Sequence, residues 1–415
     1  MKIPAVVVFS LAVCIALSVD GAAQNATVNW VGSWASSQQL PEPQNSLPAE
    51  LLNDATLRQI VHLSVGGPAL RVHVSNAFGF LPLHLTGVHV ARALSPGGAA
   101  IDAATDKAVH FSGREDVTIP AGAEFISDPI DMAVAPLSDL AVSIHFDVPP
   151  AEQTGHPGSR ATSYLVHGDA VSAADLPAAR KFDHWYQLAA IDVAVQSGAG
   201  VATIVALGDS ITDGHGATTN GNDRWTDVLA QRLQSNPQTK NIGVLNQGIG
   251  GNHLLTDGLG PNVLARFDRD VLAQTGVRWV IVLEGVNDLG GITRLSDPPH
   301  ADHVLFVQRM LAAYQQIVVR SHAAHLKVMG ATILPYTGSD YYHPPASNEA
   351  DRQEINAWIR TPGHFDAVID FDKAMADPQR PDRLAPAYDS GDHLHPSAAG
   401  YRTMGEFIPL SLFVP

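Results

Sequence analysis

The sequence predicts two domains of different class: an all-β sandwich or jelly-roll-like domain over residues 24–195, and an α/β domain with a parallel sheet over residues 200–415. Two observations carry this. Before residue 200, short runs of alternating apolar and polar residues are cut by Gly/Pro turns, the period-2 signature of strands with one buried face. Beyond it, unbroken apolar runs alternate with stretches of helical period, as in a parallel sheet buried on both faces. A length of 415 residues agrees with two domains rather than one.

Residues 1–23 have the pattern of a secretory signal peptide: Lys2, an apolar run over 5–19, then Gly21-Ala22-Ala23. The run is shorter than the roughly 20 residues that span a bilayer, so stable membrane insertion is not expected after its removal. The sole cysteine, Cys14, lies inside it, which leaves no disulfide, thiolate metal site or cysteine nucleophile in the remainder. A secreted or periplasmic location is the expectation. Hydrophobic content of 45% against 16% charged residues suits packed cores, and a net charge of −16 argues against nucleic acid and anionic membranes as partners. Composition leaves the oligomeric state open.

In the first domain, Trp30 and Trp34 read as buried anchors of its start. Val61, Leu63 and Val65, then Leu70, Val72 and Val74 across Gly66-Gly67-Pro68, read as a hairpin. Further alternating runs cover 83–90, 108–111 and, most cleanly, 140–148. His62, His73, His84, His89, His110 and His145 fall on the polar positions without metal-ligand spacing. A polar stretch at 196–200 reads as the connection between domains. In the second domain the apolar runs 201–207, 244–245, 279–283, 328–334 and 367–371 read as strands. The helices between them include one long helix with Val304, Val307, Leu311, Tyr314 and Val318 expected on its core face.

Ligands of such sheets bind beyond the carboxyl ends of the strands, and this is where the chemistry collects. Gly208-Asp209-Ser210 follows the first strand, Gly248-Ile249-Gly250-Gly251-Asn252 the second, Gly285-Val286-Asn287-Asp288 the third, and Asp392-His393-Leu394-His395 precedes the last helix. Acyl transfer needs this set. A serine hydroxyl needs a base, histidine suits that at neutral pH, and a carboxylate must hold its other nitrogen. Asp392 and His395, three apart, can make that contact locally. The N–H groups of Ser210 and Gly251 and the Asn287 carboxamide can converge as donors for an oxyanion.

The four stretches resemble the four motif blocks of the SGNH hydrolases, the GDSL esterase/lipase family, in order and at the matching strand ends. The resemblance covers about residues 200–415. It implies a flavodoxin-like three-layer α/β/α sandwich, no metal and no organic cofactor. It also implies Ser210 as nucleophile, His395 as base oriented by Asp392, and Ser210, Gly251 and Asn287 as oxyanion donors. The β-rich first domain looks like modules found beside some secreted members.

Rivals stay open at this point. Gly250 competes with Gly251, because the block reads Gly-Gly-Asn; His393 competes with His395, and Asp372 is another carboxylate after a strand. Asp209 reads as a turn-stabilising group, Asp213 and Asp288 as order in the loops. His253 and Tyr336 are possible substrate contacts, and His215 lies on a loop near them. The expected substrate is an ester, most simply a short acyl ester on a glycan. A lipase or lysophospholipase is the alternative, and a glycan-binding protein with a non-catalytic second domain is the alternative of another class.

Overall fold

The computed structural model describes residues 28–196, 198 and 200–414; the signal-peptide expectation and Cys14 lie outside them. Two antiparallel sheets account for most of the first half. One runs Val28–Ala35, Leu188–Gln196, Leu70–Ser75, Glu124–Ile126; the other runs Arg180–Phe182, Ser163–His167, Ala55–His62, Asp139–Phe146, Gly87–Arg92, Lys107–Ala108. Alternation explains the layers: Val31, Val72, Val74, Ile191 and Val193 of the first sheet share one core with Leu57, Val61, Val142 and Ile144 of the second. A smaller core on the far side holds Ile60, Ala91, Ala141 and Tyr164.

The hairpin expected around Gly66-Gly67-Pro68 is not formed. Ala55–His62 pairs with Asp139–Phe146 and Ser163–His167, whereas Leu70–Ser75 pairs with Leu188–Gln196 and Glu124–Ile126. The chain changes sheets at the glycines, where backbones are so close that a Cβ on Gly67 would lie 2.1 Å from the Ala194 carbonyl. Period 2 reports a strand's buried face and says nothing about its partner. The strand histidines each find a carboxylate, as in His62–Asp139, His84–Asp147 and His89–Asp106.

The second half holds a five-stranded parallel sheet in the order Ile242–Gly248, Ala202–Gly208, Val277–Leu283, Lys327–Ala331, Ala367–Ile369. In sequence terms this is 2-1-3-4-5, the flavodoxin-like order, so chain direction reverses across the sheet at the first strand. Trp225–Gln234 packs on Ala398–Phe407, and His300–Ala323 on Ala346–Arg360, as the helical layers. In the long helix the buried stripe is His303, Val307, Met310, Tyr314, Ile317 and Ser321, rotated from the expected one; Val304 is exposed. The displacement follows from His303, which the apolar pattern ignores: it is buried between Asp297 and Asp351.

The halves meet along Val28–Ala35 and Ile242–Gly248. Gly32 donates to Thr203 Oγ1 and the Thr275 carbonyl, each at 3.1 Å, and Val244 donates to Ser64 Oγ at 2.9 Å. The β-rich half is thus fastened to the parallel sheet by buried bonds.

Candidate functional site

The strand Ala202–Gly208 is buried along its length and ends at the sheet's carboxyl edge in the short helix Ser210–Asp213. Asp209 caps that turn, its Oδ1 accepting from the Ile211 N–H at 2.9 Å, and Gly214 closes it at φ +102°. Burial, then the charges of Asp288 and Asp213, lift the Asp209 pKa to about 7 against the pull of the Ile211 bond and Arg266. A side chain on Gly208 would strike Thr212 and the Leu283 carbonyl. The backbone around Ser210 is therefore held by the cap, the αL turn and close packing together.

Ser210 Oγ lies 2.9 Å from His395 Nε2, and His395 Nδ1 lies 2.6 Å from Asp392 Oδ2. The other Asp392 oxygen accepts from the N–H groups of Leu394 at 3.0 Å and His395 at 2.9 Å. Partial burial would raise the Asp392 pKa, but the bonds from the His395 ring and backbone outweigh it and hold the carboxyl well below the usual carboxylate range. An ionised carboxylate only accepts, so His395 Nδ1 donates to Asp392 and Nε2 is the nitrogen that faces the serine hydroxyl. His393 turns away to Asp389, and Asp372 is committed to Arg352 and Arg360. Both rivals are excluded from the relay by geometry.

Gly251 follows the second strand in the αL region, at φ +67°, and neither it nor Gly250 donates its N–H to an acceptor among the described residues. Asn287 begins the helix Val286–Thr293 after the third strand; its Nδ2 donates to the Asn252 carbonyl at 2.8 Å and its Oδ1 accepts from the Tyr342 hydroxyl at 2.7 Å. The second N–H of that carboxamide is left over. Asp288 receives the N–H groups of Leu254 and Leu255, which ties the glycine loop to this helix. A cleft of about 750 Å³ is lined by Ser210, Gly250, Gly251, His253, Asn287 and His395, with Leu259, Arg294, Tyr341 and Tyr342 around them. One hydroxyl with a base and several unspent donors at one cleft can attack an ester carbonyl and hold the resulting oxyanion.

Comparison with known proteins agrees with this chemistry. Residues 206–403 match the sequence pattern of the GDSL-like lipase/acylhydrolase family. This part of the chain belongs to that family. The GDSL-like domain is accordingly a carboxylic ester hydrolase. Among solved structures, the chain is similar to a G-D-S-L family protein from Desulfitobacterium hafniense (25% identity, 50% of this chain, 97% of that one, TM-score 0.36). A GDSL-like lipase from Bacteroides thetaiotaomicron also matches (19%, 51% and 87%, TM-score 0.38), as does an acetyl xylan esterase from Geobacillus stearothermophilus (21%, 52% and 95%, TM-score 0.37). No curated protein matches the chain.

Of the two possible substrate contacts, His253 lines the cleft of the GDSL-like domain, but Tyr336 does not. Tyr336 is 1% exposed and gives its hydroxyl to Asn348; Tyr341 and Tyr342, farther along the same loop, take the place expected of it. Side-chain direction decides which tyrosine after the fourth strand faces the cleft: Tyr336 points into the core, and Tyr341 and Tyr342 line the cleft. His215 packs against His395 with ring centroids 4.1 Å apart and the planes inclined at 43°. Desolvation, then the charges of His395 and Arg160, lower its pKa to about 4, so it is neutral at working pH.

Other site residues left no signal in the sequence. Arg266 is buried in the floor, donating to the Gly208 and Gln247 carbonyls, Asn252 Oδ1 and Ser37 Oγ. Glu284 lies buried with neither oxygen bonded to a side chain or backbone group among the described residues; burial, then the Asp209 charge, pushes its pKa up. From the β-rich half, His156 Nδ1 donates to the Ser37 carbonyl and Nε2 meets Asp213 Oδ1 at 2.9 Å. Gly158 abuts Asp213, and Arg224 reaches the Ser159 carbonyl. The turn bearing Ser210 is therefore packed from behind by the first domain.

Proposed function

We propose that this chain is an exported serine esterase that removes short acyl groups, acetyl above all, from polysaccharides or related glycans through an acyl-enzyme. The observation that carries it is the bonded series Ser210–His395–Asp392 beside the free donors of Gly251 and Asn287. In this reading His395 takes the Ser210 proton as Oγ attacks the ester carbonyl. The oxyanion is met by the N–H groups of Ser210 and Gly251 and by the Asn287 carboxamide. His395 then returns the proton to the leaving alcohol, and a water repeats the sequence to free the acid. The rim favours a sugar: Tyr341 is exposed, with the Arg294 guanidinium 4.2 Å above its ring, and such aromatic faces stack on pyranoses. The leader pattern of residues 1–23 supports export.

A lipase reading has one observation in its favour. A second, apolar cleft of about 740 Å³, with Leu255, Leu264, Ile292 and Phe306 among its walls, shares His253, Asn287 and Gly291 with the first. The deciding experiment runs p-nitrophenyl esters from acetyl to palmitoyl beside acetylated xylan and pectin, with Ser210→Ala as control. Peak kcat/KM at acetyl and release of acetate from the glycan support the esterase; a peak at eight carbons or more supports the lipase. Hydrolysis that survives Ser210→Ala sinks both.

A further inference from the structure

Among the described residues, one set of side chains has the composition and spacing of a transition-metal site, and it straddles the relay. His215, Asp392 and His395 each present one ligand atom, all within 4.8 Å of one another. His215 Nε2 is 4.0 Å from Asp392 Oδ2, which is 2.6 Å from His395 Nδ1. Tetrahedral zinc with bonds of about 2.0–2.1 Å separates its ligand atoms by about 3.3 Å, and the two observed distances bracket that value. Two imidazoles and one carboxylate are a ligand set that zinc favours. The side chains of His215 and Asp392 are 50% and 41% exposed, so an ion can reach them from the cleft and keep a water as its fourth ligand. His215 is fixed toward the other two by its tilted packing against the His395 ring and by the Tyr401 hydroxyl, which donates to its carbonyl at 2.6 Å.

We infer that His215, Asp392 and His395 form an inhibitory site for zinc or a similar divalent transition metal, which shuts the esterase by taking the groups that activate Ser210. Binding at His395 Nδ1 breaks the bond to Asp392 and leaves the ring in the tautomer whose proton sits on Nε2, so that no lone pair faces Ser210; binding at Nε2 displaces the serine hydroxyl. The ring ceases to be a base in either case. The site does not serve hard cations, which need six or more oxygen ligands. The inhibition rests on His395 being the base of the proposed esterase, whereas the binding does not.

The test separates the two. Chelator-treated full-length protein is titrated with zinc chloride while p-nitrophenyl acetate hydrolysis is followed, and each variant is compared with its own metal-free rate. The native chain is expected to lose activity at micromolar zinc, regain it with chelator, and ignore millimolar magnesium. His215→Asn should need at least about tenfold more zinc; His393→Asn should need the same amount as the native chain. Calorimetry on Ser210→Ala should show one zinc bound per chain, lost in the double variant with His215→Asn. Equal zinc sensitivity of the native chain and His215→Asn overturns the inference. So does one-site binding that survives the double variant. Zinc binding to a Ser210→Ala protein that still hydrolyses esters would instead overturn the serine mechanism and leave the metal site standing.

Discussion

Asn287 offers the sharpest test of the oxyanion geometry. Its carboxamide has two N–H donors and one oxygen; the Asn252 carbonyl takes one donor, the Tyr342 hydroxyl fills the oxygen, and one N–H remains at the cleft. Substituting Asn287→Ala removes that donor from a site where the residue is 3% exposed, so water replaces it poorly. Loss of one such preorganised donor costs about 3–4 kcal/mol of transition-state stabilisation, roughly 10²–10³ in kcat. KM should change little, because the donor meets charge that exists only in the transition state. Tyr342→Phe keeps the ring and removes only the bond that orients the amide. A neutral hydrogen bond is worth about 1 kcal/mol, which predicts a loss of about fivefold. The double variant should be no slower than Asn287→Ala alone, since Tyr342 acts through Asn287. Steady-state kinetics on p-nitrophenyl acetate read all three. An Asn287→Ala enzyme within about threefold of native kcat, or fully additive losses, would refute the assignment.

Three more expectations follow from other positions. Gly251→Ala meets both αL strain, about 1–2 kcal/mol, and Leu259 at 3.2 Å, whereas Gly250→Ala finds its nearest atom, on Asp213, at 3.8 Å; kcat should fall more for Gly251, and the reverse order would pass the donor role to Gly250. His73 lies between Glu124 and Asp192, and although burial alone would lower its pKa, those two partners raise it to about 9. A raised folded-state value stabilises below pH 6.5 and is lost as pH climbs through 9, so about 3 kcal/mol should disappear across that window in denaturant titrations; a His73→Gln chain with the same pH slope would contradict this. His156→Ala leaves Asp213 buried without its partner and should lower unfolding free energy by about 3–5 kcal/mol, measured by chemical denaturation, with a loss under 1 kcal/mol counting against a structural tie between the halves.

The parallel sheet, the strand-end placement of Ser210, Gly251 and Asn287, and the local pairing of Asp392 with His395 all follow from sequence, because each depends on period or on neighbours close along the chain. Runs such as Val201–Leu207 bury both faces of a strand whatever their partners, and an i, i+3 bond closes within one turn. Partner choice is different. The glycines before Pro68 looked like a hairpin, but they pass between sheets, because backbone contact with Ala194, far along the chain, decides their path. The stripe of the long helix shifted because His303 gains two carboxylates that only folding brings near. Tyr342 rather than Tyr336 reaches Asn287, and His156 reaches Asp213, for the same reason. Sequence alone thus determined which candidate residues meet at the strand ends and on which elements they sit. Only the tertiary structure decided what holds them, since buried polar partners are chosen by three-dimensional proximity and the cost of leaving any of them unpaired.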